Sequence, residues 1–182
     1  MSRVGIYGGT FDPIHLGHLH VITQLIEKNL VDQLLVVPAG MPLLRENAPI
    51  ATGQQRRAMC QLALADLPTE VATKVQVNPI EILRTGPSYA IDTVEAVAQN
   101  YPDDTIVLVI GQDAADKLEQ WHRIDELRDM VEFLVIGRPR FAGNGVDIGA
   151  LDVAATTIRQ GLSAAVSSSV AAFIRENNLY DN

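Results

Sequence analysis

Short, β-branched apolar runs alternate along this chain with stretches of helical length, and that alternation constrains the fold more than any other feature. RVGIY (Arg3–Tyr7), QLLVVPAG (ending at Pro38 and Gly40), TIVLVIG (from Thr105) and EFLVIGRP have the length and residue types of buried strands. Between them, LHVITQLIEKN (from Leu19) and TGQQRRAMCQLALADL place apolar residues at helical spacing, and Thr52 and Gln55 open the second at the spacing of a capping box. Strand, helix and strand in repetition imply parallel strands joined by helical crossovers. The expected fold class is therefore α/β, with a doubly wound, Rossmann-like parallel sheet.

The remaining segments read less sharply. KVQVNPIEIL is a strand region broken at Asn78–Pro79, and Ser88 is placed to cap a helix running to Asn100. LDVAA from Leu151 suits a last short strand, and SVAAFIREN a short amphipathic helix stopped at Asn177–Asn178. RFAGNGVDIG (Arg140–Gly149) has loop composition and is expected to be mobile, not a domain boundary. With no internal repeat, residues 1–182 are expected to form one domain.

Composition then excludes several classes of function. The balance of 47% hydrophobic and 20% charged residues is that of a soluble globular protein. A net charge of −8 argues against non-specific nucleic-acid binding, which needs lysine and arginine to neutralise phosphates, but a local cluster of donors can still hold a small anion. The single cysteine, Cys60, excludes an internal disulfide framework and an all-cysteine metal site. No signal-peptide layout and no apolar run of membrane-spanning length are visible, so a cytoplasmic protein without a membrane partner is expected.

In doubly wound sheets, ligands bind beyond the carboxyl ends of the strands, where the topology reverses. Gly8–Thr10, Pro38–Gly40, Gly111–Asp113 and Gly137–Pro139 each follow a strand and are expected to line one crevice. The first of these turns lies in GIYGGTFDPIHLGH (Gly5–His18). Gly8 and Gly9 let the backbone approach an anion and take dihedrals denied to other residues. A helix beginning near Gly17–His18 turns its N-terminal N–H groups and dipole toward a phosphate. Thr10 supplies a hydroxyl, and the imidazoles of His15 and His18 supply donors that can carry charge beside an anion. The turn lacks the Gly-Lys-Ser/Thr ending of the P-loop and the third glycine of the dinucleotide fingerprint. The alternatives are a plain turn with incidental histidines and a metal site at His15, His18 and His20. No neighbouring Cys or Glu completes a zinc set, so no metal ligands are expected and His20 reads as an ordinary helix residue.

GGTFDPIHLGH resembles the signature of the nucleotidyltransferase superfamily that carries a His-x-Gly-His motif. Its members move an adenylyl or cytidylyl group from a nucleoside triphosphate to a phosphate or similar acceptor and release pyrophosphate. GPSYAIDTVEAV (Gly86–Val97), IGQDAADKLEQWHRIDEL (Ile110–Leu127), VIGRP (Val135–Pro139) and TTIR (Thr156–Arg159) follow in the order found in the bacterial nicotinate-mononucleotide adenylyltransferase family, and the resemblance reaches the final VAAFIRENNLY. It implies the nucleotidyltransferase fold and adenylyl transfer from ATP to nicotinate mononucleotide in NAD biosynthesis. It also implies that His15 and His18 hold the α- and β-phosphates, that Arg45, Thr156 and Arg159 hold the leaving pyrophosphate, and that ATP carries Mg2+. Gly8, Gly9, Thr10, Phe11, Gly111, Asp113 and Arg138 are the further ATP contacts it implies, and Ser88, Tyr89 and Trp121 the acceptor contacts. Plainer readings stay open beside these: Asp113 as a helix N-cap, Trp121 as a core aromatic, Arg138 as a solvated loop residue and TTIR as a simple helix start.

Three positions depart from the family pattern. Arg45 stands where a lysine is usual, Ala154 and Ala155 replace paired serines, and Ala90 replaces a common threonine. Arginine keeps the charge with a forked geometry, whereas the alanines remove hydroxyl donors. The same chemistry on nicotinamide mononucleotide or phosphopantetheine is therefore one alternative, and an ATP-binding protein with weakened catalysis is another.

Overall fold

A computed structural model describes residues 1–41, 47–137, 139 and 142–180. The chain runs β1 (Arg3–Gly9), α1 (Leu16–Glu27), β2 (Gln33–Pro38), α2 (Gly53–Ala65), α3 (Thr69–Ala72), β3 (Val75–Val77), α4 (Ile80–Leu83) and α5 (Ala90–Asn100). It continues with β4 (Thr105–Gly111), α6 (Gln112–Ala115), a 3-10 turn at Leu118–Gln120, α7 (Ile124–Met130), β5 (Glu132–Ile136), α8 (Ala155–Arg159) and α9 (Ser168–Glu176). Among the described residues five strands form one parallel sheet, in the order β3-β2-β1-β4-β5. The winding reverses between β1 and β4, so the expected doubly wound sheet is present, with its switch point at the ends of those two strands.

Strand periodicity explains how both faces are covered. Leu34, Val36, Val107 and Val109 point to one side, where they pack with Ile22 and Leu25 of α1, Met59 and Cys60 of α2, and Val170 of α9. Val4, Ile6, Leu35, Val37, Ile106 and Leu108 point to the other, against Val94 and Val97 of α5 and Leu127 of α7. Side chains two apart share a face, so near-continuous apolar strands bury on both sides at once.

Several local expectations are corrected. The first helix begins at Leu16, not Leu19. The break expected in KVQVNPIEIL at Asn78–Pro79 is present, with β3 ending at Val77, but helix follows it: Asn78 Oδ1 accepts from the N–H of Ile80 at 3.1 Å, and this side-chain turn starts a short helix over IEIL. Residues 151–154 form no strand. The place beside β5 is already taken by Val146, which bridges Ile136, accepts from Gly137 N–H and donates to Val135 O. That contact and buried Ile148, whose carbonyl meets His20 Nε2 at 2.7 Å, hold the end of the segment expected to be mobile.

Candidate active site

The first turn leaves β1 at Gly8 and Gly9 and doubles back through Phe11, whose φ is 50°. Neither glycine has positive φ, contrary to the dihedral argument from sequence. Gly9 is required for packing, because a Cβ there would stand 2.9 Å from the Phe11 ring. Gly8 is exposed, and a Cβ there would meet only the Val37 carbonyl oxygen, at 4.0 Å. The ring of Phe11 is core, edge-on to Tyr7 and His18, so what Phe11 can offer a ligand is backbone.

His15 is the N-cap of α1, in extended conformation, and is buried; His18 is half-buried one turn on. Their rings stack with centroids 3.7 Å apart at 25°. The N–H of His15 donates to His18 Nδ1 at 3.2 Å. A ring nitrogen that accepts is unprotonated, so neutral His18 carries its proton on Nε2, as a donor. The N–H of Leu16, the first residue of α1, is taken by Ala165 O at 2.8 Å.

Cationic groups converge on this turn inside an acidic chain. Arg159 Nη1 donates to the backbone carbonyl of Asp12 at 2.6 Å and Nη2 to Thr156 Oγ1 at 3.2 Å, which joins α8 to the turn. Arg56, 1% exposed, donates to the carbonyls of Thr10 and Ala51. The carboxylate of Asp12 accepts from the N–H groups of Ile50 and Ala51, just ahead of α2.

Gly8, Gly9 and Thr10 also border a cavity of about 620 Å³ at the switch point. Gly8, Gly9, Thr10, Gly111 and Asp113 line it from the strand ends, and Ser88, Tyr89, Ala90 and Trp121 from beyond them. Asp113 is not an N-cap: Gly111 is, and Asp113 lies in the first turn of α6. Ser88 does not cap α5, whose N-cap is Tyr89. Its Oγ accepts from the N–H groups of Gly40 and Met41 at 3.1 and 3.0 Å, clipping the exit of β2 to the start of α5. Tyr89 stacks on His122, centroids 4.3 Å apart, while half-buried Trp121 packs on the core below.

The predicted residues thus fall into two adjoining groups that share the first turn. His15, His18, Thr156 and Arg159 stand on the α1 and α8 side, off the cavity lining, and Phe11 is also absent from that lining; Gly8, Gly9, Thr10, Ser88, Tyr89, Gly111, Asp113 and Trp121 line the cavity. Gly137 packs against Gly145 and Val146 and not in the crevice. Arg45 and Arg138 lie outside the described residues. Sequence reasoning missed Glu81, Thr93 and His122 on the cavity wall, and Arg56 and Asp12 behind the turn. Arg56 had a readable signal: it shares the buried stripe of α2 with Met59, Cys60, Ala63 and Leu64, where a charge is out of place unless bonded.

Residues 6–172 match the cytidylyltransferase-like family. The chain is 34% identical over 192 residues to a Shouchella clausii protein named "Probable nicotinate-nucleotide adenylyltransferase", covering 99% of this chain and 97% of that one. It is 29% identical over 194 residues to the Bacillus subtilis protein named "Nicotinate-nucleotide adenylyltransferase", with complete coverage of both. Among solved structures, the Plasmodium falciparum nicotinic acid mononucleotide adenylyltransferase complexed with NaAD shares the fold, with TM-score 0.85 at 18% identity, over 100% of this chain and 98% of that one.

Proposed function

The chain belongs to the cytidylyltransferase-like family, and from that premise we propose that it transfers the adenylyl group of ATP to nicotinate mononucleotide, forming deamido-NAD and pyrophosphate. It does so as a single domain in the cytoplasm. The shared name of its full-length relatives supports the substrate pair. The observation that carries the reading is the junction at Gly8–Thr10. A cavity large enough for a small ligand is lined by Gly8, Gly9 and Thr10, and the segment that follows carries the stacked rings of His15 and His18 and, through the Asp12 carbonyl, the Arg159 guanidinium.

The mononucleotide phosphate attacks the α-phosphorus of ATP in line, and pyrophosphate leaves. Such transfers ask the protein for positioning and charge stabilisation and need no covalent enzyme intermediate. His15 and His18 hold the α- and β-phosphates, with His18 Nε2–H as a donor. Arg159, Thr156 and Arg45 hold the departing pyrophosphate. Backbone at Gly8, Gly9, Thr10 and Phe11 borders the phosphates, Gly111 and Asp113 receive ribose hydroxyls, and Arg138 contacts phosphate or adenine. Ser88, Tyr89 and Trp121 frame the nicotinate. Magnesium enters as part of the substrate, on the triphosphate, and keeps several waters.

The test is pyrophosphate release with ATP, magnesium and three acceptors: nicotinate mononucleotide, nicotinamide mononucleotide and phosphopantetheine. Robust turnover with the first alone is the expected result. Preference for another acceptor overturns the substrate assignment, and tight ATP binding without turnover on any acceptor marks a nucleotide-binding protein instead.

A further inference from the structure

The phosphate turn is braced from the far end of the chain. Beyond α9, Leu179 is buried, and Tyr180 folds back with φ 65°, in the left-handed region that bulky side chains avoid. Its hydroxyl donates to Asp12 Oδ1 at 2.7 Å, across 168 residues of sequence. Its ring packs against the core cluster that holds Phe11 and Ile14, the residues flanking Asp12 and Pro13.

Asp12 is 2% exposed and has few alternatives. Oδ1 is shared between the Ala51 N–H and the Tyr180 hydroxyl, Oδ2 takes the Ile50 N–H, and the backbone carbonyl takes Arg159. A buried carboxylate that loses one of its donors must reorient or admit water, and it moves with the backbone three bonds away. That backbone carries the carbonyl on which the Arg159 guanidinium is aligned.

The geometry points to Tyr180 as a positioning residue for the nucleotide: through Asp12, its hydroxyl fixes the carbonyl that orients Arg159 and, with it, the α8 side of the phosphate site. This inference rests on the functional reading above, in which Arg159 meets the leaving pyrophosphate. Burial and the neighbouring Asp12 push the phenol well above its usual range, so the hydroxyl stays a donor, and Arg56 and Arg159 are near enough to act on it electrostatically. If the tail merely filled space, the ring would suffice and the hydroxyl would be dispensable.

Tyr180→Phe separates the two roles, because it keeps the ring and removes only the donor. With ATP, magnesium and nicotinate mononucleotide, the variant is expected to lose kcat/KM for ATP by on the order of tenfold, while KM for the mononucleotide moves by less than about twofold. In an Arg159→Lys background the same change should add less than about twofold, since the route through Arg159 is already lost. ATP parameters within about twofold of wild type, an equal rise in both KM values, or a fully additive loss on Arg159→Lys would each overturn the assignment. Should Tyr180→Phe fail to fold, Asp12→Asn is read by the same split, with the same expected and opposing results. If the wild type turns over no acceptor at all, the functional reading fails by itself. Calorimetric ATP affinity, weakened by Tyr180→Phe or unchanged, still decides the role of the tail.

Discussion

The backbone N–H of His15 donates to Nδ1 of His18 at 3.2 Å while the two rings stack at 3.7 Å, so each histidine fixes the other. The bond selects the tautomer of His18, and the stack selects its plane. Preorganised donors of this kind stabilise developing charge without rearranging during the reaction. His18→Ala should therefore lower turnover on the order of 100-fold or more with the fold intact. Pyrophosphate release and near-UV circular dichroism on the same sample check both halves, and an unchanged rate removes His18 from the phosphate site.

How much of this was legible can be judged from particular residues. The strands were readable because β-branched runs buried on both faces have no other comfortable place, and Thr52 with Gln55 forms the capping box its spacing announced. His15 and His18 stand three apart in the sequence and meet in the fold for that reason. What was misread depended on tertiary partners. Ser88 has the chemistry of an N-cap, but the N–H groups of Gly40 and Met41 outcompete those of α5. LDVAA from Leu151 looks like a strand, yet Val146 already holds the sheet edge. Tyr180 could not be placed at all, because nothing local tells a C-terminal tyrosine that its partner is Asp12.

The Ser88 clip leads to a second prediction. Its oxygen satisfies two backbone donors at the exit of β2, and Gly40 beneath it has no room for a side chain: a Cβ would lie 2.1 Å from the carbonyl oxygen of Glu81. Ser88→Ala should cost about 1–2 kcal/mol of stability, since the site is only partly buried. Gly40→Ala should cost about 1–3 kcal/mol by forcing β2's exit away from α4. Both changes loosen the acceptor side of the cavity, so KM for nicotinate mononucleotide is expected to rise more than KM for ATP. Steady-state kinetics with each substrate varied in turn reads this, and equal rises would assign the clip to general stability alone.

Arg56 gives a prediction about the scaffold. Its guanidinium reaches Ala51 O at 3.3 Å through Nε and Thr10 O at 2.7 Å through Nη1, from within an apolar stripe. Arg56→Met fits the stripe but leaves two carbonyls unpaired, and it should lower unfolding free energy by about 2 kcal/mol or more in a urea titration. Arg56→Lys is not expected to restore it, because one ammonium lacks the fork that spans two acceptors. Full rescue by lysine would show that charge alone suffices there.

Acid sensitivity has a specific expected source at Asp66, just past α2. Its carboxylate accepts from Ser169 Oγ at 2.7 Å and Ser169 N–H at 3.3 Å, at the start of α9. The neighbouring Ser167 hydroxyl and the hydrogen bonds from Ser169 hold its pKa below the ordinary carboxylate value. A group whose folded pKa is depressed stabilises the fold above its unfolded pKa, and that contribution disappears as pH falls through the folded value. Asp66→Ala should therefore melt below wild type at neutral pH. The difference should narrow as pH falls below about 4 and vanish once the wild-type carboxyl is protonated. The effect is modest, because the carboxylate is solvated. Melting temperatures of the pair across that range provide the check: a gap independent of pH would mean that Asp66 holds α9 by packing, with no contribution from its charge.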